Sequence, residues 1–111
     1  MAKHDFGIMQ DAPGATDYYC TYEPSKYNCI AVVDEDLDIA LARMQADRMD
    51  TYWHKLSNPH KGLAYCGITL IPPTSHCVFI DAVEGIAALE PLKALLMQAK
   101  TENKFVIHFG V

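Results

Sequence analysis

Residues 70–77, LIPPTSHC, place His76 beside Cys77 just after two prolines that end an apolar run. If a helix begins here, Cys77 falls in its first turn. Free backbone N–H groups in that turn favour a thiolate and lower the thiol pKa. His76 would then serve as base or cation, the arrangement of a nucleophilic thiol site. Three features oppose this reading. Asp81 and Glu84 share a helical face with Cys77, and their negative charge raises the thiol pKa again. Sequence neighbours on a helix point about 100° apart, so His76 need not reach Cys77. No glycine motif for an oxyanion hole accompanies the pair. The stretch reads better as a corner of the fold with a surface thiol, and catalysis by Cys77 and His76 is kept as the alternative.

Other constellations are weaker. Asp34, Asp36 and Asp38 have the spacing that opens a calcium loop, but Ile39 stands where glycine is needed and Gln45 where glutamate is needed. No two of His4, His54, His60, His76 and His108 are spaced as a metal-binding pair on one helix turn, so no metal is expected. Cys20, Cys29, Cys66 and Cys77 contain no CxxC spacing. Cys66 alternates with Ala64, Ile68 and Leu70 and is expected to be a buried small hydrophobe. No phosphate loop, dinucleotide fingerprint or nucleophile elbow is present, and no cofactor is expected.

The elements that must position these residues follow from periodicity and turn chemistry. A strand is expected over His4–Met9, ended by Asp11-Ala-Pro-Gly. The segment that follows, with Tyr18, Tyr19, Cys20 and Tyr22, is long for a structureless connection and suits a short strand or a working loop. Tyr27–Val33 reads as a central strand. Asp34-Glu-Asp opens a helix whose acidic side chains cap it, with Leu37, Leu41 and Met44 as its apolar stripe until Arg48 breaks the pattern. Thr51–Leu56 is ambiguous between helix and strand. Strand is favoured, with SNPHKG as a hairpin loop.

Leu63–Ile71 reads as a strand stopped by Pro72 and Pro73. A helix over about 75–84, capped by Thr74 or Ser75, buries Phe79, Ala82, Val83 and Ile86. A further helix over about 88–101 tolerates Pro91 in its first turn and buries Leu92, Leu95, Leu96 and Ala99. A last strand runs Phe105–Phe109. The expected fold is α+β: one domain over 1–111, a four- to five-stranded mixed or antiparallel sheet, about three helices mainly on one face, and the order ββαββααβ.

The expected faces carry the functional reading. If the helices cover Ala64, Cys66, Ile68 and Leu70, then Tyr65, Gly67, Thr69 and Ile71 point away from them. Phe105, Ile107 and Phe109 then suit the core, leaving His108, with His54 and Tyr52, on an open aromatic face. A half-apolar open face marks association or ligand binding. Tyr18 and Tyr22 could close over it, since tyrosine joins a rigid apolar ring to a polar tip. The expected binding residues are therefore Tyr65, Thr69, His108, His54, Tyr18 and Tyr22. The expected role is a non-catalytic binding or self-associating domain, a homo-oligomer or small-ligand binder.

Composition excludes other classes. The net charge is −5 with only nine scattered Lys and Arg, against nucleic acid and against an anionic membrane surface. No run approaches the ~18 apolar residues of a membrane span. The opening residues lack the apolar core of a secretion signal, so the cytoplasm is the default expectation, with free thiols.

Overall fold

A computed structural model describes residues 2–44 and 48–111. The strands are β1 (Lys3–Ile8), β2 (Ile30–Val33), β3 (Asp50–Trp53), β4 (Pro59–Lys61), β5 (Ile68–Ile71) and β6 (Val106–Phe109). The helices are α1 (Asp34–Arg43), α2 (His76–Val83) and α3 (Glu90–Glu102). The protein is α+β, and its six strands form one open sheet in the order β2-β1-β6-β5-β3-β4, every pair antiparallel. Three expectations of topology are corrected: there are six strands, the order is ββαβββααβ, and the strand expected to be central over Tyr27–Val33 is the shorter edge strand β2. The additional strand is β4, inside the segment read as a hairpin loop. It bears Pro59 and Lys61, which suit an outer edge and conceal a strand from propensity. Among the described residues no helix is long and apolar enough to cross a membrane.

Each helix forms where the periodicity placed it, for identifiable reasons. α1 begins with Asp34, Glu35 and Asp36 at the positive end of the helix and buries Leu37 and Ala40. It stops at Arg43, where Met44 turns extended, short of the expected end near Arg48; residues 45–47 lie outside the described residues. α2 follows a 3-10 turn at Pro73–Ser75 and buries Phe79, Ala82 and Val83. Neither Thr74 nor Ser75 caps it: the Ser75 hydroxyl donates instead to the Asp50 carbonyl at 2.5 Å. α3 carries Pro91 in its first turn and ends on Asn103, whose left-handed φ of 56° closes the helix.

Register decides which side chains share a face. Thr69 lies opposite His108, which lies opposite Phe6, so these three point the same way. That side also carries Ile8, Val32, Ile71 and Val106, and all three helices pack on it. Leu70 lies opposite Ile107, and these point the other way with Ile68, Phe109 and Met9. The expected faces are therefore exchanged: the helices cover Thr69, Ile71 and His108, and the Phe105/Ile107/Phe109 set lies on the reverse. The reverse face is not open. Tyr19, Tyr27, Cys29 and Leu56 pack across it with Tyr52 and Phe105.

The physical cause of the exchange is that both faces are dry. All four residues of β5 and all four of β6 are buried, so alternation carries no information about which side the helices take. Thr51–Leu56 resolves in favour of strand, although β3 stops at Trp53. Leu63–Ile71 shortens to β5, because residues 64–67 form a turn in which the Gly67 N–H donates to the Ala64 carbonyl. Cys66 sits in that turn and is exposed, not buried. At the β3–β4 edge, Trp53 stacks on His60 with ring centroids 3.8 Å apart, and its indole N–H donates to the Gly62 carbonyl.

Candidate functional site

The helix-covered face holds a continuous polar chain inside an apolar core. His4 reaches it because β1 alternates, putting His4 on the same side as Phe6 and Ile8. His108 comes from β6 and Thr69 from β5 by the same rule. Asp34 is the first residue of α1, where β2 turns into the helix. Its side chain does not cap α1: one carboxylate oxygen lies 2.7 Å from His4 Nε2 and the other accepts the Tyr65 hydroxyl at 2.7 Å. His4 Nδ1 lies 2.8 Å from His108 Nε2, and His108 Nδ1 lies 3.1 Å from Thr69 Oγ1. Thr69 Oγ1 in turn accepts the Ala64 N–H at 2.8 Å.

One proton arrangement satisfies every atom of this chain. The Asp34 carboxylate accepts from His4 Nε2–H, so the bare His4 Nδ1 accepts from His108 Nε2–H. The bare His108 Nδ1 then accepts the Thr69 hydroxyl. His4, Thr69 and His108 are all buried, and the two imidazoles stack at 5.1 Å between centroids. Tyr65, 46% exposed, rests its edge on the His4 ring at 5.3 Å and closes the outer end.

The electrostatics follow from that geometry. Hydrogen bonds from His4 and then Tyr65 hold the Asp34 carboxyl below the usual carboxylate range. The same bond to Asp34, with desolvation behind it, raises the Tyr65 hydroxyl to about 12. Burial, and then the neighbouring His4, push His108 down to about 3.

Chemically the chain is ordered the wrong way round for a hydrolytic triad. In such a triad the carboxylate is buried and the nucleophile faces substrate. Here the carboxylate lies near the surface and the hydroxyl end is sealed under the helices.

On the other face the segment 10–29 is clasped by His54. This residue holds a left-handed φ of 67°, uncommon outside glycine though less so for asparagine, aspartate and histidine. Three bonds maintain it. Its N–H donates to the Ile68 carbonyl at 3.0 Å, its carbonyl accepts the Tyr19 N–H at 2.8 Å, and its ring Nδ1–H donates to the Tyr19 carbonyl at 2.8 Å. Tyr18 stacks on the His54 ring at 5.9 Å. Tyr22 leans edge-on against Phe109 at 5.5 Å and donates to Asp5 at 2.6 Å. Gly7 permits this close roof: a Cβ there would meet Tyr27 and the Cys29 thiol at 2.7 Å. Burial, and then Asp5, raise the Cys29 thiol to about 12.

The structure thus divides the sequence-derived binding residues. Tyr65, Thr69 and His108 meet in the polar chain, while His54, Tyr18 and Tyr22 meet on the loop side. His4 and Asp34 complete the chain and lie outside the expected binding residues. The available signal was His4 sharing the parity of Phe6 and Ile8, since a histidine pointing into a core needs a partner.

His76 and Cys77 are not brought together. His76 is buried and its Nε2–H donates to the Lys104 carbonyl at 2.8 Å, its Nδ1 has no partner among the described residues, and Cys77 is exposed. Burial lowers the His76 pKa. Among the described residues no group of three or more His, Cys, Asp or Glu side chains could hold a metal ion. Comparison with family models, curated proteins and solved structures finds no match to this chain.

Proposed function

We propose that the protein is a non-catalytic binding domain that takes a small polar ligand at the tyrosine-bearing segment 10–29. One observation carries the reading: two clefts, of about 330 and 340 Å³, share Asp17, Tyr19, Lys26 and Tyr27 as walls. Small-molecule sites commonly enclose roughly 300–1,000 Å³. Lys26 supplies a cation, Asp11 and Asp17 supply anions, and the tyrosines supply flat walls with hydroxyl tips. Such a lining suits a ligand bearing both charges. Tyr18, 61% exposed, stands at the rim of the second cleft, with His54 anchoring the segment below, while the exposed Tyr22 lies within the same segment. Thr69 and His108 contribute by holding the sheet, not by touching the ligand.

The test is two-dimensional NMR of labelled protein against amino acids, small carboxylates, amines and nucleosides. Shifts confined to 10–29 and abolished by Lys26→Ala are expected. A silent panel, or shifts centred elsewhere, would refute the reading.

A second reading, self-association, is favoured by the outer edge of β2. The Asp34 N–H donates to the Ala2 carbonyl, continuing the β1–β2 ladder, so by alternation Ala31 turns its backbone N–H and C=O outward. β2 reads IAVV, with neither the proline nor the lysine that guards β4 at the opposite edge. Sedimentation of the wild type and of Ala31→Pro is decisive. A dimer that the variant dissolves supports edge pairing, and a wild-type monomer at micromolar concentration removes it.

A further inference from the structure

We propose that the His4–His108 pair is a one-proton store, limited to a single proton by its own geometry, with the Asp34 carboxylate beside His4 as its counter-charge. The two imidazoles meet nitrogen to nitrogen at 2.8 Å, and the remaining nitrogen of each is engaged by Asp34 or Thr69. In the neutral pair each bond has a fixed direction. The carboxylate sets it: His4 Nε2–H donates to Asp34 and each inner bond follows, with Thr69 Oγ1 donating to His108 while accepting the Ala64 N–H.

A proton added at His4 Nδ1 reverses the inner half of the chain. His4 Nδ1–H then donates to His108 Nε2, which gives up its own hydrogen. His108 carries that hydrogen on Nδ1 and donates it to Thr69 Oγ1. The proton count balances: His4 becomes imidazolium beside the Asp34 carboxylate, and His108 stays neutral as its other tautomer. The Thr69 hydroxyl, now accepting from both Ala64 and His108, loses the acceptor for its own hydrogen. A second proton would set His4 Nδ1–H against His108 Nε2–H, donor to donor, which the 2.8 Å separation does not admit.

Desolvation of His108 works in the same direction, because it disfavours charge on the inner ring. The charged and titratable groups around the pair are few among the described residues. Asp34 comes from α1, with Asp38 beyond it acting on Tyr65, and Tyr65 and Cys66 come from the turn before β5. The Phe6 ring, 4.9 Å from His108, belongs to the apolar wall. Imidazoles bonded nitrogen to nitrogen titrate as a pair and not as independent rings.

The test is imidazole ¹⁵N NMR of the full chain as pH is lowered from about 8, with the β1–β6 ladder amides watched for loss of the fold. The expected record is one imidazolium, at His4, appearing together with a change of tautomer at His108. Imidazolium signatures on both rings in a folded protein would overturn the proposal. So would unfolding with both rings still neutral.

Discussion

The two faces of one sheet are built on different terms. The helix side packs Phe6, Phe79, Leu92 and Leu96 around a polar chain in which every nitrogen and oxygen needs a named partner. The loop side packs Ile68, Leu70, Ile107 and Phe109 under tyrosines whose hydroxyls point toward water or surface carboxylates. The helix side should therefore fail sharply when one atom is lost. The loop side should yield gradually and keep room for ligand traffic. Residues that respond to a partner are expected to come from the less cooperative side.

Removing the Phe79 ring is expected to have the largest effect. It is fully buried between α2 and the sheet, so Phe79→Ala should cost about 3–5 kcal/mol in urea unfolding. A loss under about 1 kcal/mol would mean that the helix side is loosely packed. Thr69→Val leaves the Ala64 N–H without its acceptor and should cost about 1–3 kcal/mol, with Thr69→Ser recovering most of it.

Gly7→Ala addresses the loop side. Its Cβ would push on the Tyr27 backbone and on the Cys29 thiol. A loss of about 1–3 kcal/mol is expected, with Cys29 becoming reactive to alkylation as the roof lifts. An unchanged Cys29 reaction rate would contradict that placement.

Acid should discriminate between the faces as well. The folded pKa of His108 lies below the unfolded value of about 6.5, so the unfolded chain takes a proton that the folded chain refuses. The associated stability is complete above about pH 6.5 and is lost as pH falls toward the folded value of about 3. The slope should approach about 1.4 kcal/mol per pH unit. His76, also lowered by burial, adds in the same direction, and Asp34 adds its loss at lower pH, as it falls through its own depressed value. His108→Phe should flatten the profile, and a profile as steep as wild type would assign the slope elsewhere. The smallest effect is expected at the rim. Tyr18→Ala should change stability by less than about 0.5 kcal/mol, so any loss of ligand-induced shifts in that variant would report on binding.

Much of this architecture was legible from periodicity. The stripe of Leu92, Leu96 and Ala99, with Pro91 in the first turn, specifies α3, and Pro72 marks the end of β5. The orientation of the sheet was not legible, because Ile68–Ile71 and Val106–Phe109 are apolar enough to be dry on both sides, and bulk alone pointed Phe109 toward the wrong core. Asp34 illustrates a second limit. An acidic residue at a helix start satisfies the rule for helix ends, which hides that its carboxylate serves His4 and Tyr65 instead. Local rules name the element and leave open which distant side chain will claim it.

The stack of Trp53 on His60 gives the chain an optical probe of its own. With a single indole in the sequence, all tryptophan emission originates at the β3–β4 margin, where the ring lies flat on the His60 imidazole. Fluorescence therefore follows the fraying of that margin without any dye, and remains a local signal distinct from the interior histidines.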